Sequence, residues 1–157
     1  MGQDTRHSPS IPPLHGPAKV VHASDYYEVL LHSGGRLVRV TRSAVPFASA
    51  QAVDAACRPI QQLLDGLDRA NVCLLIDSRN APARNDPKYE EWFMPHRARM
   101  VSGLRRAAIV MRSAVGKLHA ERVLKLDKTP ETVRVFNDEV TALIYLQEQD
   151  PRPPRTR

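Results

Sequence analysis

The sequence predicts an α/β domain on a mixed, mostly parallel sheet, with an N-terminal β-hairpin and about four helices in the order ββαβαβαβα. Three observations predict it. Two short runs, 72–76 (VCLLI) and 107–111 (AAIVM), contain no polar side chain except a thiol, which suits strands covered on both faces. The stretches around them carry apolar residues at three-and-four spacing, the period of a helix. Ahead of them, a Gly-Gly pair separates two short strand-like segments, the signature of a tight hairpin. Strands that alternate with helices imply right-handed crossovers between parallel neighbours.

Each element can be justified in turn. Residues 1–23 read as a disordered leader. It holds Pro9, Pro12, Pro13 and Pro17 and few large apolar groups, too little to offset the entropy of ordering. Segments 27–31 (YEVLL) and 37–41 (LVRVT) read as the hairpin strands, with Val38 and Val40 on one parity and Leu37, Arg39 and Thr41 on the other. Ser49 is placed to cap a helix whose inner residues are Val53, Ala56, Cys57, Ile60, Leu63, Leu64 and Leu67. Pro59 should kink or divide it. After the strand at 72–76 comes a polar loop, 78–86. Asp86 then caps and Pro87 opens the next helix, with Glu90 and Glu91 in its first turns and a break expected at Pro95. Ser113 caps a helix over 114–126, with Val115, Leu118, Val123 and Leu126 expected to face inward. Residues 133–136 (VRVF) form the last strand. Asn137 or Asp138 caps a final helix with Val140, Leu143, Ile144 and Leu146 as its expected buried face. The domain therefore spans 24–149, and 150–157 (DPRPPRTR) reads as a disordered basic tail.

Composition narrows the classes of function. The chain has 157 residues, 42% hydrophobic but only 5% aromatic, so one aliphatic core is expected. It has no apolar run long enough to span a bilayer and no secretory leader pattern. Its two cysteines, Cys57 and Cys73, sit in apolar stretches, as buried thiols of a reducing, cytoplasmic compartment do. Net charge is +6, and residues 84–125 hold ten basic against four acidic groups. Such a face can attract an acidic protein, a phosphate or nucleic acid. The aromatic residues are not interleaved with the arginines, so nucleic acid is expected to bind only weakly and non-specifically.

The element order, with "LLIDSRNAPARND", "RRAAIVMRSAVGKL" and "VRVFNDEVTALIYL", resembles the STAS superfamily of anti-sigma-factor antagonists, and within it the divergent SpoIIAA-like branch. The resemblance covers about 25–148. It implies a non-enzymatic regulatory domain that docks a protein partner. In the family, a phosphorylated Ser or Thr opens the helix after the third strand. Here Asp86 falls at that place, between Asn85 and Pro87, and none of the three carries a hydroxyl. The resemblance thus implies docking without the phosphorylation switch, and Asp86 reads as a helix cap.

No assembled chemistry stands out beside this. Ser78 lacks a nucleophile elbow. The histidines form no metal-ligand spacing, and no cofactor motif is present. The residues expected to meet a protein partner, on the loop 78–86 and the following helix, are Arg79, Arg84, Asp86, Tyr89, Trp92 and His96. The alternative is a small anionic ligand (a phosphate, nucleotide or lipid head group) at the same rim. Arg112, Ser113, Gly116 and Lys117 would hold it, at a helix start that lacks the first glycine and the hydroxyl of a P-loop. A homodimer is left open.

Overall fold

The structure, a computed structural model, describes residues 17–83 and 87–148. Six strands form one sheet in the order β1-β2-β3-β4-β5-β6. They are β1 (Ala18–Ala23), β2 (Tyr27–His32), β3 (Leu37–Arg42), β4 (Cys73–Asp77), β5 (Arg106–Val110) and β6 (Val133–Phe136). The first three pair antiparallel and β3 to β6 pair parallel. The crossovers are α1 (Ala50–Asp65), α2 (Pro87–Val101) and α3 (Ala114–Leu126), and α4 (Glu139–Gln147) follows β6.

Each crossover steps one strand in the same direction. Crossovers of one hand then leave their helices on one face of the sheet. That is the arrangement found: Val29, Val38, Val40, Leu74 and Ile109 form one core with α1, α2 and α3. Leu37, Cys73, Leu75, Ala108 and Val110 form a second core beneath Ala142, Tyr145 and Leu146 of α4. The alternating parity of each strand divides its residues between the two cores.

The hairpin matches its sequence reading. Gly34 and Gly35 take φ of +66° and +94°, a backbone region that side chains disfavour. Ser49, Ser113 and Asp138 cap their helices by accepting hydrogen bonds from Ala52, Gly116 and Thr141 amides. Both helices with an internal proline run on without a break. The carbonyls deprived of a donor belong to Ala55 and Glu91, both on exposed residues, where water can replace the lost bond.

Three further expectations need correction. Residues 18–23 were expected in a disordered leader but form β1, paired with β2 through a bulge between Val20 and His22. Its order comes from that pairing, which a local reading cannot supply; residues 1–16 and 149–157 lie outside the described residues. On α3, Val115, Leu118 and Leu126 are 77%, 66% and 75% exposed rather than inward. The helix instead turns Ala120 and Leu124 to the core and Gly116 to Met111. A stripe of mostly small residues lets the helix sit close to the sheet, and the large apolar stripe is left outside. On α4, Val140 and Ile144 are exposed, while Ala142, Tyr145 and Leu146 are buried. That helix is apolar nearly all round, so periodicity alone could not choose its face.

Candidate functional site

The C-terminal ends of β3, β4 and β5 open on one side, where open parallel sheets place ligands. There, α2 packs on α1 and stands off α3. The gap is a cavity of about 600 Å³. Val40, Ile76 and Ile109 form its floor, Tyr89, Phe93 and Met100 one wall, Ala120 and Val123 the other, with Val115 and Leu118 at the mouth. Pro82 and Ala83 border it from the loop after β4.

Polar ties cross the cleft at one end. Arg97 of α2 donates from Nε to Asp127, just past α3, at 2.8 Å and from Nη1 to Glu90 at 3.2 Å. His119 of α3 brings Nε2 to 3.8 Å from Glu90 Oε1, too long for a hydrogen bond, and that nitrogen has no hydrogen-bond partner among the described residues. At another part of the lining, Arg42 ends β3 and is 3% exposed. It donates to the carbonyls of Ser43 (2.8 Å) and Val45 (2.6 Å) and lies over the Phe47 ring at 4.2 Å. An aromatic train of Tyr26, Phe47, Tyr89 and Phe93 links the turn before β2 to α2 beside it.

The residues expected from sequence divide into three groups. Arg79, Tyr89, Arg112, Ser113 and Gly116 all line the cavity. Arg79 also grips Asp77 with two bonds of 2.9 and 2.8 Å and lies 3.7 Å from Glu139, beside the Arg39–Glu139 ion pair. These bonds, ahead of any other cause, hold the Asp77 carboxyl below the usual carboxylate range. Trp92, His96 and Lys117 are not in the lining. Trp92 packs half-buried on the main core. His96 ties α2 to α1, with Nδ1 at 3.0 Å from Gln61 and Nε2 on Asp54. Arg84 and Asp86 lie outside the described residues.

The anion reading of 112–117 meets a competing use of the same groups. Ser113 Oγ already accepts the Gly116 amide at 3.0 Å, so one free donor of the helix start is taken. The basic excess is also partly spent inside the fold. Arg97 and Arg99 meet carboxylates, while Arg105 and Arg106 bond the last carbonyls of α4, where a cation suits the helix dipole. Arg112 and Arg122 remain at the cleft mouth with no partner among the described residues. Both thiols are buried, and burial pushes Cys57 up to about 12.

Sequence reasoning missed the cleft because its lining comes from separate segments between β2 and the end of α3. One signal was present. Arg42 shares the parity of Val38 and Val40, so an arginine occupied the inward row of a strand.

Compared with solved structures, the chain is similar to an uncharacterized protein of the DUF3478 family with a SpoIIAA-like fold from Shewanella loihica PV-4. The TM-score is 0.50 over 85% of this chain and 95% of that one. The chain has a SpoIIAA-like fold. Sequence identity is 14%, so the likeness is one of fold. No family model matches the chain, and no curated protein matches it. In this SpoIIAA-like chain no described helix is long and apolar enough to cross a membrane.

Proposed function

We propose that this SpoIIAA-like chain is a non-catalytic binding domain that holds an amphipathic small molecule in the α2–α3 cleft. One observation carries the reading: a cavity of about 600 Å³ has an apolar floor and arginines in its lining. That is the size and character of a small-ligand site. A catalytic role lacks support in the side chains. Ser113 is spent as a cap, burial pushes the Cys57 thiol up to about 12, and neither is paired with a base among the described residues of the cleft. The test is equilibrium binding of Nile red, a neutral apolar dye. Wild type should bind it saturably. Leu118→Asp combined with Val115→Asp should lose binding with little change in Tm, because both side chains are exposed at the mouth. Equal binding by both proteins would remove the cleft from consideration.

A second reading keeps the protein-docking role that the fold resemblance implies. The exposed stripe Val115, Leu118 and Leu126 with Arg122 favours it, since unpartnered apolar surface beside arginine is typical of interfaces. A partner retained at high salt by wild type and lost by Leu126→Asp would support it. Retention by both proteins would exclude this face.

A further inference from the structure

We infer that the cleft selects ligands bearing a carboxylate, and that Arg42 receives it. The inference rests on the cleft reading above. The other two half-buried arginines of the lining are matched by carboxylates, Arg79 by Asp77 and Arg97 by Glu90 and Asp127. Arg42 is far more buried, and every acceptor it meets among the described residues is neutral. These are the carbonyls of Ser43, Val45 and Tyr26 and the Ser43 hydroxyl. The bonds leave from Nη1 and Nη2. A guanidinium has five N–H groups, and Arg42 Nε has no acceptor among the described residues.

A buried charge ordinarily has a counter-charge. Aromatic faces offset part of its need: the guanidinium carbon lies 4.2 Å from the Phe47 centroid and 5.6 Å from that of Tyr27. They supply no anion. A carboxylate entering the cavity would supply one, in surroundings of low dielectric where the attraction is strong. Glu90 is the one carboxylate among the described lining residues, and Arg97 already holds it. Arg112 and Arg122 are also without a carboxylate, but both are exposed at the mouth, where water and salt screen them. The acidic head therefore goes to the buried Arg42, with the apolar body along Val40, Ile76 and Ile109.

The plainer role for Arg42 is a brace that ties the end of β3 to the turn after it. A brace would not distinguish an acid from an alcohol. The experiment displaces Nile red from the full chain with decanoate or 1-decanol at neutral pH, below their aggregation limits. Wild type should release the dye at a decanoate concentration about tenfold lower than that of decanol, the size of a charge-assisted pair. Arg42→Gln should bring the two within about threefold, leaving decanol where it was; Arg42→Lys should restore part of the preference. Arg112→Gln with Arg122→Gln should keep it. Should Arg42→Gln fail to fold, wild type and this double arginine variant of the mouth still decide. Equal displacement by acid and alcohol in wild type overturns the inference but leaves the cleft reading standing. So does a preference lost in the double arginine variant. Displacement by neither probe removes both.

Discussion

Asp77 shows how much one side chain can hold. It ends β4, takes both prongs of Arg79 and accepts the Arg79 amide at 3.1 Å. Its carboxyl is depressed, so the stability it contributes is complete above the unfolded value of about 3.9. That contribution is lost as pH falls through the lower folded value. Urea midpoints should therefore fall more steeply below about pH 4 in wild type than in Asp77→Asn. Parallel curves would show that the pair contributes nothing. Cys57 is the opposite case. Burial raises its thiol to about 12, so iodoacetamide at pH 8 should leave it unlabelled in the native protein and label it quickly in urea. Of the expected docking residues, Arg79 and Tyr89 line the cleft, Trp92 and His96 do not, and Arg84 and Asp86 lie outside the described residues. Which way each points was not legible, because Tyr89 and His96 find their partners on α1 and on the turn before it, far off in sequence.

At the scale of elements, α3 carries two stripes of three-and-four spacing, and the sequence does not say which one packs. The structure buries Leu124 and exposes Leu126. Leu124→Ala should cost about 2–5 kcal/mol, whereas Leu126→Ser should change stability by less than about 0.5 kcal/mol. Equal losses would mean the stripes are assigned the wrong way round. The caps were legible, because Ser49, Ser113 and Asp138 each stand just before a periodic run. Removing one, as in Ser113→Ala, should cost about 0.5–2 kcal/mol by chemical denaturation. The strand β1 was not legible. Its pattern is weak, and its ladder to β2 is a tertiary fact.

For the whole molecule, the decisive feature is that α2 leans on α1 and leaves space before α3. Arg97 spans that space, and its side chain and that of Asp127 are 16% and 8% exposed. Arg97→Met should cost about 1.5–3 kcal/mol and speed amide exchange in both helices. Unchanged exchange would show that the tie does not hold the cleft. The amino-acid sequence by itself determined the α/β class, the strand and helix order from β2 onward, the glycine turn and the caps. These follow from periodicity and from bonds spanning a few residues. Tertiary structure alone decided which stripe of α3 and α4 is buried, how the arginines of the basic third are spent, and that a cavity opens beside Arg42. Those outcomes depend on helices meeting a common sheet face, and on pairs such as Arg97–Asp127 and Arg106–Glu148, 30 and 42 residues apart.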